Sequence, residues 1–147
     1  MPKKPTKKKT ITKSKVKKEA WGAFSKYIRL RDGLISMGSK ETGKCFTCGR
    51  VTPLFTLYGG QAGHFIDGRG NAVLFEEELV HLQCRQCNLF KHGNKEAYET
   101  KMVELYGSKK VEALKQLRHT TKEYTKEDYE RIRDFYKEEF KGCYENN

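Results

Sequence analysis

Two Cys-x2-Cys pairs, Cys45/Cys48 and Cys84/Cys87, constrain this chain more than any other feature. Each pair puts two thiols one tight turn apart, and four thiolates match the tetrahedral site that zinc prefers. The intervening residues 49–83 are too many for one continuous ribbon turn. They suffice for a knuckle, a β-hairpin and the start of a helix, which is the order of a treble clef. A disulfide framework is the competing use of four cysteines, and secreted chains favour it. The N-terminus carries lysines rather than an apolar signal segment, which favours a reducing compartment and hence a metal. The fifth cysteine, Cys143, reads as a spare thiol.

A chain of 147 residues fits one domain with trimmings. With 36% hydrophobic and 33% charged residues its core must be modest, and a structural zinc, worth on the order of 10 kcal/mol, would help to hold it. No apolar run approaches the roughly 20 residues that span a bilayer, which predicts a soluble protein with no membrane partner.

The formal charge of +11 is unevenly spread. Residues 1–18 hold nine lysines and no acid. This stretch, which includes Lys7, Lys8 and Lys9, reads as a disordered arm whose partner is a polyanion such as nucleic acid. Residues 19–43 read as a helix and linker. Ala20, Phe24, Tyr27 and Ile28 have helical spacing between about Lys18 and Asp32, Gly33 supplies a stop, and Leu34 to Gly43 links to the first cysteines. Lys26 and Arg29 share a helix face and are candidates for phosphate contact, with a solvated surface as the bland alternative.

Residues 44–94 make the zinc core. Val51 to Tyr58 is rich in β-formers, Gly59 and Gly60 turn the chain, and Gln61 to Ile66 is expected to return as the second strand. After the Gly-rich loop Asp67 to Asn71, a further strand at Leu79 to Gln83 leads into a helix from Cys84 to His92, where Asn88 and His92 share a face. Residues 95–147 supply a helical extension. One helix starts at Asn94 and ends at Tyr106, a second starts at Ser108, and a third starts at Thr125 with Tyr129, Ile132, Tyr136 and Phe140 on its apolar face. The fold class is therefore α+β: a small zinc-stabilised treble clef, ββα-metal-like, flanked by α-helices.

His64 carries the chemistry. Set between the two cysteine pairs, with Asn88 directly after Cys87, it resembles the histidine of the ββα-metal (His-Me finger, or HNH) nucleases. There a histidine activates water and a divalent ion held by the helix polarises the scissile phosphate. Histidine suits that role because its unperturbed pKa lies near neutrality.

The similarity extends further. Phe24-Ser25-Lys26-Tyr27-Ile28-Arg29-Leu30-Arg31-Asp32, Lys44-Cys45-Phe46-Thr47-Cys48-Gly49, Gln61-Ala62-Gly63-His64-Phe65, His81-Leu82-Gln83-Cys84-Arg85-Gln86-Cys87-Asn88 and Gly93-Asn94 follow one another in order. Together they resemble the phage recombination protein family called NinG or Rap, over roughly residues 20–118. That resemblance implies a structure-specific DNA endonuclease for branched intermediates such as D-loops and Holliday junctions, working in the cytoplasm of a bacterial host. It puts structural zinc on Cys45, Cys48, Cys84 and Cys87, the base on His64, the closing HNH position on Asn88 and a family histidine at His81.

Two positions depart from the HNH pattern. Gly63 stands where an Asp or His ligand is usual, and Leu79 replaces the middle Asn. A catalytic Mg2+ or Mn2+ is then expected at Asn88, with Asp67, His81 and His92 in reach of the same cleft. Orienting His64 and binding phosphate are the alternative roles for His81. Arg69 and Lys91 are phosphate candidates beside that site, and a homodimer would suit an enzyme that cuts paired strands. The competing functions are a non-catalytic zinc module that binds DNA or a recombination partner, and a general HNH nicking endonuclease.

Overall fold

The computed structural model describes residues 1–5, 10–68 and 70–147. Of the positions singled out above, Lys7, Lys8, Lys9 and Arg69 lie outside the described residues. The fold is mixed α+β, with two small antiparallel sheets.

A long helix, α1 (Lys13–Met37), frames the molecule. It starts at Lys13 rather than about Lys18, inside the stretch expected to be a disordered arm. Thr12 caps it, its hydroxyl accepting the Lys15 N–H at 3.2 Å. Val16 and Ala20 then bury against Tyr129 of α5 (Lys126–Glu145), so tertiary packing stabilises a turn whose lysines would not hold a helix alone. Gly33 does not stop the helix. A Cβ there would stand 2.5 Å from Leu54 Cδ1 and 2.9 Å from the Ser39 carbonyl, so this glycine permits close packing instead. The stop comes at Gly38, with φ +60°. Helix α5 begins as expected with a capping box between Thr125 and Asp128. It lies along α1, where Tyr136 meets Phe24 edge-on at 4.9 Å.

Strand β1 (Thr42–Lys44) pairs with β2 (Val51–Pro53), and β3 (Gln61–His64) pairs with β4 (Val80–Gln83). The hairpin expected between 51–58 and 61–66 does not form. Pro53 has no N–H to extend a ladder and ends β2. Leu54 is buried beside Gly33 and Gly43, and the Gly60 N–H folds back onto the Pro53 carbonyl at 2.6 Å. Strand β3 finds its partner far along the chain instead, with Gln61 opposite Gln83 and His64 opposite Val80. A short α2 (Asn71–Leu74) and a 3-10 turn (Glu77–Leu79) lie between these strands.

The helix expected from Cys84 to His92 is cut short to a π-helical turn, Gln86–Phe90. His92, Gly93 and Asn94 all take positive φ, so His92 leaves the helical path and does not share a helix face with Asn88. Helices α3 (Lys95–Tyr106) and α4 (Ser108–Lys115) follow. Asn94 stands at the start of α3, but its amide turns to Cys87 Sγ at 3.5 Å and makes no cap. Phe24, Ile28, Phe65, Val80, Tyr98 and Met102 meet in the core between α1, the β3/β4 pair and α3. No helix among the described residues is long and apolar enough to cross a membrane.

Candidate functional site

The turn between β1 and β2 and the turn after β4 bring the Sγ atoms of Cys45, Cys48, Cys84 and Cys87 within 4.8 Å of one another. The first turn closes through Cys45 N–H to the Arg50 carbonyl at 2.8 Å and Gly49 N–H to the Cys45 carbonyl at 2.9 Å. Gly49 sits at φ +76°, where a side chain would be strained. Cys48 and Cys84 sulfurs are 3.7 Å apart, against about 3.8 Å for the edge of a tetrahedron with Zn–S near 2.3 Å. The Thr47 hydroxyl lies 3.3 Å from Cys45 Sγ, and the Cys87 N–H and the Asn94 amide lie 3.5 Å from Cys84 Sγ and Cys87 Sγ. Such donors suit thiolates. Burial opposes ionisation of Cys45, yet hydrogen bonds from Thr47 and neighbouring backbone groups outweigh it and bring the thiol down to about 7. The four cysteines can hold a metal ion such as zinc. Among the described residues no other set of three or more His, Cys, Asp or Glu side chains comes together in this way.

An open cleft of about 470 Å³ lies next along the chain from Cys87. His64, Asp67, Asn88, His92 and Lys95 line it, together with Ala62, Ile66, Gly68 and Gly93. Four residues picked out from the sequence thus share one space. His64 ends β3, and its half-buried ring stacks on Trp21 of α1 at 4.9 Å and 23°. Its Nε2 lies 3.2 Å from the Leu74 carbonyl at the end of α2. A carbonyl only accepts, so Nε2 carries the proton and Nδ1 is the basic nitrogen. The Asn88 amide donates to Gln61 Oε1 at 2.7 Å, leaving its oxygen as the end that a hard cation takes.

Lys95 is the cleft residue that sequence reasoning missed. Its ammonium donates to the His64 carbonyl and pairs with Asp67 Oδ1 at 3.0 Å. One lysine among 30 basic residues gives no local signal of such a position.

Both departures from the HNH pattern have physical reasons. A Cβ on Gly63 would stand 1.9 Å from Gln83 Oε1 and 3.0 Å from Asn88 Oδ1, so neither Asp nor His fits. Gln83 is itself fully buried, donating to Thr47 Oγ1 at 3.2 Å and to the Gly93 carbonyl at 2.8 Å. Leu79 is also fully buried, and its carbonyl accepts the Phe65 N–H at 2.9 Å. The His64 ring is instead held by the Leu74 main chain, at 3.2 Å from Nε2.

His81 does not line this cleft, contrary to expectation. The register sets it opposite Gly63, so its ring projects from the face of the strand pair opposite to that of His64. It is buried, stacked on Phe46 at 4.0 Å. Its Nδ1 lies 3.3 Å from Asp32 Oδ2 and 3.2 Å from Arg31 Nη2, and its Nε2 lies 3.0 Å from the Tyr106 hydroxyl. Asp32 also accepts the Leu82 N–H at 2.7 Å and Arg31 Nε at 2.8 Å. Burial works against its charge, but the His81 hydrogen bond and the Arg31 guanidinium hold its carboxyl below the usual range.

The expected DNA contacts are dispersed. Lys26 and Lys91 are exposed. Arg29 is half-buried, donating to the Leu54 carbonyl at 3.0 Å and the Ser25 carbonyl at 3.2 Å and lying over Phe55 at 5.1 Å. It lines a second cleft of about 310 Å³ with Trp21, Gln61 and Asn88.

Comparison with curated proteins gives no match, and neither does comparison with solved structures. The family model described as Bacteriophage Lambda NinG protein matches residues 2–145 and so takes in the cysteine cluster, the cleft and helices α1 to α5. The chain belongs to the bacteriophage lambda NinG protein family.

Proposed function

We propose that this protein is a metal-assisted DNA endonuclease of the HNH (His-Me finger) type, built on a treble-clef zinc core and acting on branched recombination intermediates. Family membership suggests a recombination-related role in a phage. The observation that supports the chemistry is the contact of His64 Nε2 with the Leu74 carbonyl, inside a cleft shared with Asn88. It leaves Nδ1 as the proton acceptor, and stacking on Trp21 restrains the ring. In this reading Nδ1 of His64 takes a proton from the attacking water. Asn88, with Asp67 and His92, would hold Mg2+ or Mn2+. A donor set this sparse suits an ion that keeps several waters and draws other ligands from substrate phosphate. When bound, such an ion stabilises charge on the phosphoryl and leaving oxygens. Lys95 adds a fixed cation beside the same phosphate. The four cysteines act as scaffold, and Lys7, Lys8, Lys9, Lys26, Arg69 and Lys91 add attraction for the DNA backbone that does not depend on sequence.

The test uses purified protein and its His64→Ala variant, matched for zinc content, on labelled D-loops, Holliday junctions and linear duplex, with and without Mg2+ or Mn2+. Ion-dependent cutting of branched DNA by the unaltered protein alone is expected. Tight binding without cutting by either protein would replace this reading with a non-catalytic zinc module. Equal cutting of linear duplex would leave a general nicking endonuclease.

A further inference from the structure

Away from the cleft, two chain segments converge on one arginine. Arg85 follows the ligand Cys84, and its guanidinium lies 4.9 Å from the ring centre of Tyr58 and 6.0 Å from that of Phe90. Tyr58 comes from the loop before β3 and Phe90 from the π-helical turn. Both rings face solvent, at 71% and 64% exposure, and Leu57 beside them is 86% exposed. Among the described residues the Arg85 side chain has neither an ion pair nor a hydrogen bond, and its Nε is buried without a partner.

An aromatic pair that were only a structural prop would turn inward. Here the rings and the charge are presented together, without a carboxylate to neutralise the cation. The patch is also continuous with the candidate site. Gly60 and Gln61, just past Tyr58, line the second cleft with Asn88, and Asn88 lines the main cleft as well.

We propose that Tyr58, Arg85 and Phe90 form a stacking platform for unpaired bases next to the phosphate held in the cleft, and that this platform gives the preference for branched DNA. The inference rests on the nuclease reading for its substrate. The chemistry favours this occupant over others. Bases in a duplex are already stacked on each other, so exposed aromatic faces gain little from paired DNA, whereas an unpaired base offers a free π-face. The unpaired guanidinium favours a ligand with phosphates along its chain over an apolar groove of a protein.

The experiment is binding without divalent ions, so that nothing is cut. A flap substrate carrying 2-aminopurine at the first unpaired position is compared with single-stranded and fully paired DNA. The proteins are the unaltered chain, the Tyr58→Ala/Phe90→Ala double variant, and a Tyr58→Leu/Phe90→Leu double variant that keeps apolar bulk without a π-face. The expected result is quenching by the unaltered chain only. Affinity for flap and single strand should fall about tenfold in both variants, while duplex affinity stays within about twofold and zinc content is unchanged. If the Ala variant loses zinc, the Leu variant decides. Unchanged flap binding by the variants overturns the proposal. So does a loss on duplex that keeps step with the loss on flap, and so does a self-association that the variants abolish while DNA binding stays intact. Cutting is scored separately with Mg2+, so quenching without cutting sinks only the nuclease reading, and cutting without quenching sinks only the platform.

Discussion

His64 and His81 lie on the same pair of strands, one residue of register apart, and meet opposite surroundings. His64 is half-buried at the edge of an open cleft, held by a ring stack and a main-chain carbonyl, and faces Asn88, Asp67 and Lys95. His81 is buried, stacked on Phe46 and enclosed by Asp32, Arg31 and Tyr106. The first lines the open cleft, while the second ties α1 to β4 and α3. A strand alternates its faces at every residue, so a single step of register separates the two.

The largest effect expected is one that destroys both sides at once. Chelating zinc, or replacing Cys84 by Ser, removes the anchor immediately after β4. It should cost on the order of 10 kcal/mol, and loss of the folded near-ultraviolet signal together with zinc release would be read by circular dichroism and metal analysis. A native fold after complete zinc removal would show that the cysteines do not brace the strand pair.

The two histidines should then separate. His64→Ala is expected to slow cutting of branched DNA by about 10²–10⁴-fold with a small change in melting temperature. His81→Ala should lower the melting temperature while cutting per folded molecule is largely kept. The reverse pattern would invert the comparison.

Next in size, Asp32→Ala leaves the half-buried Arg31 and the buried His81 without their carboxylate and should destabilise the protein by about 3 kcal/mol in urea unfolding. Asp32 also gives the His81 side a pH signature. Its carboxyl ionises more readily when folded than unfolded, so its contribution is complete above an unfolded pKa of about 3.9 and is lost as pH falls through the lower folded value. Asp32→Asn should shrink that acid limb in stability measurements, whereas His64→Ala should leave it in place.

The smallest effect sharpens the boundary between the sides. Gly63→Ala places a methyl against buried Gln83 and near Asn88, for a cost of about 1–3 kcal/mol. Since Gly63 touches both regions, cutting should fall along with melting temperature. A change in only one would show that the two sides do not communicate through this residue.

Much of the site was legible because its signals are local. The four cysteines announce themselves by spacing, and they do converge. His64, Asn88, Asp67 and His92 are close to those cysteines in sequence and share a cleft. The start at Thr125 and the stripe through Tyr129 and Tyr136 likewise predicted α5. Apart from the local break at His92, Gly93 and Asn94, the misses involve distant partners. The early start of α1 depends on Val16 meeting Tyr129. Gly33 looked like a stop because its neighbour Leu54 is invisible in a local window. Lys95 acquires its place only when α3 begins beside β3.

The four-cysteine set that can hold a metal, the element types over most of the chain and the family are written in local residue type and short spacing. The pairing of β3 with β4 rather than β2 follows only from long-range packing, and with it the enclosure of His81 and the place of His64 in the cleft. Strand pairing is a competition among distant segments for the same backbone hydrogen bonds. Its outcome turns on which pairing buries Leu79, Val80 and Leu82 and gives the Gln83 NH2 group and the Asp32 carboxylate their partners, and no stretch of chain carries that information alone.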